Sequence, residues 1–477
     1  MSKRIYFLFI LILIMLHISI FVSTKFIDWP ELLMYPWLLH HNFALYTDIL
    51  IPYQPFVLIL LKTLYLFLGF SVANLKIIHL TLMLAVDGSL FLLLHKTTKS
   101  YPEVIIGLLF YALIQPTAEG NGLWFDHFAL LPLIWGYYFC FKAISSKNIT
   151  SLPLSIIFIG TTLLVKQTLS WVLGVLLFFP LFDQLVLKSQ LKSKRLFIIA
   201  PLSLLFPLFQ LSYFFSQNSL RSYLFWVYQF GWNLRNNSYY VVLPNIRGDF
   251  PLIFLILEIV ILFFFVCRKS TRRPLLFYSF TWFCFAMVTM FPRWNLTHFQ
   301  TPLLFLTILF AHLVKQLHEM SLVKKQTLGS ILVVFIFIVT FKIGFRYIEK
   351  NIGAQNRFYN NRTEKLVQEI RDIKKSDSYF FFGNTEYLYV YFNEIPKIQP
   401  YVQLFPWNTQ IPGMQEKLIT QLDEKQIEYV FYEPYEPNNI FYQGQKPEKL
   451  FSYLQTHYIY LKNLNTKVSV FRRKRNV

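Results

Sequence analysis

Asp28-Trp-Pro-Glu31-Leu-Leu-Met-Tyr-Pro-Trp-Leu-Leu-His40-His41-Asn-Phe-Ala-Leu-Tyr46-Thr-Asp48-Ile-Leu-Ile-Pro52-Tyr53-Gln54-Pro55-Phe56 is the stretch on which the reading of this chain turns. It follows an apolar run, 5–24, that carries no charged side chain and is preceded by Lys3 and Arg4. About 20 apolar residues suffice to cross a bilayer. The run is long for a secretory leader and no small-residue cleavage site follows, so it reads as a retained first span. Asp28 then lies just beyond the membrane exit, with Glu31 one helical turn later. A short aromatic-rich amphipathic helix to about His41, suited to the lipid interface, is expected next. Asp48 and a proline-spaced entry to an apolar segment at 55–70 come after it.

The whole composition agrees with lipid as the solvent. Of 477 residues 55% are hydrophobic, 52 are Phe and only 15% are charged; mean hydropathy is +0.44. A soluble fold of this size could not hide so much apolar surface. A soluble globular enzyme, a disordered chain and a nucleic-acid-binding domain are excluded. The net charge of +20, from 45 Lys and Arg against 25 Asp and Glu, sits in short clusters between apolar runs, as in cytoplasmic membrane loops. Cys140, Cys267 and Cys284 are too far apart for a metal or redox motif. There is no Walker loop, Rossmann fingerprint or zinc spacing.

Further spans are expected at 75–95, 103–118, 126–142, 151–166, 168–187, 196–215, 250–267, 274–292, 299–317 and 328–346. Segment 55–70 is short and contains Lys62. If it does not cross but lies as a juxtamembrane or re-entrant helix, the clusters Lys96/Lys99, 188–195, 268–273 and Lys324/Lys325 all fall inside, as the positive-inside rule requires. The expected architecture is thus a polytopic α-helical membrane protein of about 11 spans. Residues 1–348 form the multi-span domain, with its first outer loop at 24–54. Residues 349–477 form a small extracytoplasmic α/β domain, in which helices at 361–375, 414–426 and 447–453, strands at 378–382 and 428–433, and a hairpin at 458–472 are expected.

A carboxylate at headgroup level is placed to take a proton from an acceptor hydroxyl or amine while another substrate stays in lipid. Asp28-x-x-Glu31 is equally a capping box with Pro30 in the first turn, and a capping carboxylate is a poorer base. Spacing alone leaves both readings open.

A short first span, an acidic outer loop, Leu45-Tyr46-Thr47-Asp48 and a proline-rich helix entry together resemble the GT-C superfamily of polyprenyl-phosphate-sugar glycosyltransferases. The likeness is to the protein O-mannosyltransferase and aminoarabinose-transferase branch and to the bacterial RgtA/B/C/D-like membrane glycosyltransferases, over roughly residues 1–320. The resemblance implies that Asp28 is the catalytic base, with Glu31 its catalytic neighbour, that Asp48, the acid of the Leu-Tyr-x-Asp element, binds substrate, and that Asp126, Asp48 and Glu31 orient the acceptor or Asp28. It implies that Asp126, in Gly122-Leu-Trp-Phe-Asp126-His127, is the second catalytic acidic residue. Lys166, in Lys166-Gln167-Thr168, resembles the family's Lys-Gly element. Arg293 and His298, in Phe291-Pro-Arg293-Trp-Asn-Leu-Thr-His298, resemble its late Arg/His element. These cations would hold the donor phosphate, although Lys166 also suits snorkelling and Arg293 an interface anchor. Where the family often has Lys-Pro-Pro, this chain has Tyr53-Gln54-Pro55.

The implied activity is transfer of a hexosyl or pentosyl group, with inversion, from a polyprenyl-phosphate sugar to a glycan, lipid or protein acceptor. The expected place is a bacterial plasma membrane, with the site on the cell-envelope side. Members differ in metal dependence, so a divalent ion stays open, and no other cofactor is implied. Membrane lipids are expected partners and nucleic acid is not. A lipid-linked-sugar flippase or transporter, or a polysaccharide polymerase or ligase, would use the same donor chemistry. Arg221, Arg235 and Arg247, in an aromatic-rich loop, suit sugar contact or a membrane belt. Asp87 and Glu258 lie within spans, and interhelical hydrogen bonding is expected of both.

Overall fold

The computed structural model describes residues 3–146, 149–172, 174–175, 202, 204–230, 244, 246–268, 273–291, 294–320, 323–374, 378–399, 401–402, 406–409, 411–433, 447–464 and 467–474. The chain is mostly helical with a small sheet. It divides into two compact units that interleave along the sequence. One comprises Met1–Ile27, Lys76–Ser212 and Leu243–Gln355; the other comprises Asp28–Leu75, Tyr213–Val242 and Asn356–Val477. The units therefore follow the chain differently from a linear division near residue 348.

Among the described residues six helices are long and apolar enough to cross a membrane: Arg4–Ser23, Val72–Thr98, Tyr101–Ala118, Asp249–Cys267, Leu296–His318 and Thr327–Asn351. Helices Phe125–Ser145 and Leu152–Leu163 occupy the expected 126–142 and 151–166. Most of the segment expected at 168–187, and the first part of 196–215, lie outside the described residues.

In the first unit helix Gln300–His318 is buried along almost its whole length. Helices Tyr101–Ile114, Phe125–Ser145, Ile246–Cys267, Arg273–Ala286 and Val323–Asn351 pack around it. The surrounding helices keep apolar side chains in the open, such as Phe7, Phe264 and Phe345. A core of Phe and Leu inside an envelope of exposed Phe and Leu is the arrangement lipid permits and water does not. A Cβ at Gly107 would meet Leu94 at 2.7 Å and Ala311 at 3.3 Å, so this glycine sets the close approach of three helices. Asp87 finds the interhelical partner expected of it: His17 Nδ1 lies 2.9 Å from its carboxylate, and His17 Nε2 lies 3.2 Å from the side-chain amide oxygen Oε1 of Gln115. Glu258 does not; both its carboxylate oxygens are buried without a hydrogen-bond partner among the described residues.

In the second unit helix Glu31–His40 packs on helix Pro55–Leu68. The first of these was expected to be amphipathic and interfacial. Instead Glu31–Leu38 are all buried, as befits a helix that is apolar all round. Lys62, the cation that made 55–70 doubtful, donates to Leu39 O at 2.9 Å and so satisfies an open carbonyl at the end of the neighbouring helix. At 14 residues, helix Pro55–Leu68 spans about 21 Å, short of the roughly 30 Å of hydrocarbon.

The C-terminal elements form where period and turn signals put them. Helix Asn361–Ile373 is capped by Asn360, whose side chain accepts from Arg362 N and Thr363 N. Tyr379–Gly383, Tyr429–Glu433, Val468–Arg473 and Tyr458–Leu464 form a four-stranded sheet in that order, the first pair parallel and the others antiparallel. Ile49–Leu50 pairs in parallel with Tyr401–Val402, which fastens the Asp48 turn to this part of the chain.

Candidate active site

In the first unit, Asp126 stands in the first turn of helix Phe125–Ser145, where the helix dipole favours a negative charge. The turn before it is fixed from behind. Asn121 donates to Thr24 Oγ1 at 2.6 Å and to Lys25 O at 2.9 Å, and Ile27 N donates to Asn121 O at 3.0 Å. A Cβ at Gly122 would come within 2.5 Å of Ile27 O, so this position admits only glycine. Lys166 occupies the extended break between helix Leu152–Leu163 and the 3₁₀ turn Gln167–Ser170. His298 lies in the 3₁₀ turn Leu296–Phe299, whose cap Asn295 accepts from Thr297 N, and its carbonyl accepts from Thr289 Oγ1 at 3.2 Å.

These three residues meet. Lys166 Nζ donates to Asp126 Oδ2 at 2.8 Å and to His298 Nδ1 at 2.9 Å, and the two acceptors are 3.3 Å apart. Lysine is donor only, so His298 accepts through Nδ1 and carries its proton on Nε2. Lys166 is buried and paired rather than reaching out to an interface. Asp126 Oδ1 is buried and accepts no hydrogen bond among the described residues. The arrangement holds a cation and a neutral imidazole together around one carboxylate oxygen, with a second oxygen left open. Arg293, expected alongside His298, lies outside the described residues, as does Arg235.

Asp28 belongs to the second unit and is fully buried. Helix Glu31–His40 starts with Pro30 at its cap position and no side-chain cap bond, so the capping box is not formed. The Asp28 carboxylate instead accepts from Phe358 N and Tyr359 N, each at 2.8 Å. Burial pushes its pKa up from 3.8 to about 6, against the downward pull of these backbone donors. A carboxyl so poised is half ionised close to neutrality, which suits a general base.

Glu31 is buried in the first turn of its helix. The Tyr359 hydroxyl is pushed upward mainly by burial and further by the charge of Asp28, with Glu31 a smaller cause. Asp48 is turned to a local duty: its Oδ2 accepts from Ala44 N at 2.8 Å. Arg357 lies with its guanidinium 4.9 Å from the Trp29 ring centroid and 5.3 Å from that of Phe358. Arg357, Phe358 and Tyr359 did not emerge from sequence reasoning. The available signal was an Arg-Phe-Tyr triplet following the last apolar run, but nothing in local spacing ties it to residue 28.

The structure thus brings Asp126, Lys166 and His298 together in one unit, and bonds Asp28 to the backbone of Phe358 and Tyr359 in the other. No family model matches the sequence, and no curated protein matches it significantly. Among solved structures, the chain is similar to the oligosaccharyltransferase of Archaeoglobus fulgidus. The form tethered with an acceptor peptide containing the NVT sequon aligns with a TM-score of 0.56 and 11% identity, over 99% of this chain and 74% of that one. The same archaeal enzyme, AglB, in complex with an inhibitory peptide and a dolichol-phosphate aligns with a TM-score of 0.50 and 11% identity, over 99% and 74%. A complex with zinc and sulfate gives 0.54 and 11% identity, over 98% and 73%. That enzyme belongs to the GT-C superfamily, and the fold of this chain is GT-C-like. At this identity the likeness is one of fold.

The zinc in that neighbour raises the question of a metal here. Among the described residues no three His, Cys, Asp or Glu side chains converge as a metal site. Both Asp28 oxygens already hold N–H donors, and Asp126 is neutralised by Lys166. Neither carboxylate is part of a converging set of metal ligands among the described residues.

Proposed function

We propose that this chain is a membrane glycosyltransferase that moves a sugar from a polyprenyl-phosphate donor to an extracytoplasmic acceptor, with inversion at the anomeric carbon. The observation that carries the reading is a fully buried carboxyl, Asp28, poised at about 6 a few residues beyond the first apolar helix of a GT-C-like fold. Asp28 takes the proton from an acceptor hydroxyl or amine. The freed lone pair attacks the anomeric carbon, the bond from that carbon to the phosphate oxygen breaks, and its electron pair leaves on the phosphate. Charge therefore builds on the leaving group, and cations aimed there lower the barrier. Lys166 takes that role as a cation, neutral His298 as an N–H donor, and Arg293 as a second cation. Asp126 orients Lys166, and Glu31 and Asp48 order the loop that carries the base. Eleven spans, with 24–54 and 349–477 outside a bacterial plasma membrane, suit a donor entering from lipid and an acceptor in the cell envelope.

The test is transfer of labelled sugar from a polyprenyl-phosphate donor by the full chain in membranes. Asp28→Asn cuts transfer by about 10²- to 10⁴-fold and leaves membrane insertion intact; full activity in that variant would remove the proposed base. Free polyprenyl phosphate released in step with transfer separates an enzyme from a flippase, which releases none.

A further inference from the structure

The Asp28 neighbourhood contains one cation, Arg357, that the reaction above does not use. Its side chain is exposed and has no carboxylate partner among the described residues. It is nevertheless not free to wander, because it lies against the rings of Trp29 and Phe358, themselves 6.0 Å apart. Stacking on two aromatic faces removes much of the rotamer freedom of an arginine while the exposed fork keeps its N–H groups without a carboxylate among the described residues. A pre-oriented, unpaired fork calls for an oxyanion, which it binds through two parallel hydrogen bonds. Two residues along the chain, the Tyr359 hydroxyl is buried and has no hydrogen-bond partner among the described residues. Aromatic faces beside a polar edge also match a sugar ring, which is apolar on its C–H faces and polar at its rim.

Whatever lies against a general base in its reactive pose is the molecule that loses the proton, here the acceptor. An acidic acceptor approaching Asp28 and Glu31 would be repelled unless a cation met its negative group first. We infer that Arg357, braced by Trp29 and Phe358, recognises the oxyanion of an acidic glycan acceptor, a saccharide bearing a carboxylate or a phosphate. The inference rests on Asp28 being the base, and it assigns the class of acceptor.

Two measurements on the detergent-solubilised full chain test it. In calorimetric binding, a uronate-containing oligosaccharide and a polyol-phosphate oligomer are compared with a neutral oligosaccharide of equal length and with farnesyl phosphate. At least one acidic saccharide binds more tightly than the neutral one. Arg357→Gln weakens it about 10- to 100-fold, the worth of a charge-assisted pair, and Arg357→Lys restores part of the loss. Preference for uronate or for phosphate identifies the source of the oxyanion. In the transfer assay, the ratio of kcat/KM for acidic to neutral acceptors falls by a similar factor, while the KM for the donor stays in place. Equal binding of acidic and neutral saccharides overturns the inference, as does weakening confined to farnesyl phosphate, which would assign the guanidinium to the donor. Unchanged thermal unfolding in the variants excludes misfolding. Arg357-dependent binding without any transfer would sink the glycosyltransferase reading and leave the acidic-glycan site standing.

Discussion

Asp126 and Asp28 are both fully buried, yet their surroundings treat them differently. Asp126 has an ammonium at 2.8 Å, a full opposite charge beside its carboxylate. The donors on Asp28 are two neutral backbone N–H groups, and burial outruns them, so the carboxyl rises to about 6. Hydrogen-bond count does not separate the two; the charge of the donor does. One carboxylate is fixed as an anion and suited to holding a cation. The other exchanges its proton near neutral pH and is suited to catalysis.

The largest effect expected from this contrast is on activity. Asp28→Asn keeps the shape but loses the proton acceptor, so transfer falls by about 10²- to 10⁴-fold, the worth of a general base. Asp126→Asn should fail differently. It leaves Lys166 buried beside a neutral amide, at a cost of about 3–5 kcal/mol, read as a lowered thermal unfolding midpoint in detergent. Replacing both partners, with Asp126→Leu and Lys166→Met, should recover most of that loss, because no lone charge is left behind. If the double variant is as unstable as the single one, the pair is not the reason for the cost.

These sites were unequally visible in the sequence. Long apolar runs made the helices legible, and alternation with turn residues made the strands at 379–383 and 429–433 legible. Asp126, Lys166 and His298 each stood out as a polar residue at the end of an apolar run, but their meeting is a matter of how helices pack. His17 drew no attention inside the first apolar run, although it is the partner that makes Asp87 tolerable. The bonding of Asp28 was beyond reach. Its partners are backbone N–H groups some 330 positions away, and a backbone donor leaves no mark on residue type. The same blindness hid the interleaving of 28–75 with 356–477 in one unit, because hydropathy reports where an element is and not which distant element it joins.

A pH titration sharpens the contrast further. The Asp28 pKa is raised from 3.8 to about 6, so between these values the folded chain binds more protons than the unfolded one. Its contribution is complete below about pH 4 and is lost as pH rises through about 6, a change of about 3 kcal/mol. Activity should run the other way, because the base works only when ionised: the acid limb of kcat/KM should have its midpoint near pH 6. Opposite trends in unfolding midpoint and in rate across this window, with the stability trend absent in Asp28→Asn, are expected. A rate limb near pH 4 would mean that another carboxyl is the base.

The smallest effect comes from a lysine that has the same kind of partner as Lys166 in a different solvent. Lys315 and Glu319 lie one turn apart at 3.4 Å, with side chains 22% and 32% exposed, against 8% and 0% for Lys166 and Asp126. Water already solvates much of each charge, so little is gained by pairing and little is stranded when one partner goes. Lys315→Gln should cost only about 0.3–0.5 kcal/mol, and the loss should shrink further with added salt. The Lys166 pair should respond weakly to salt, because counterions do not reach it. Comparable losses and comparable salt responses in the two variants would mean that water reaches Lys166, and the distinction between a holding carboxylate and a titrating one would then fail at its first step.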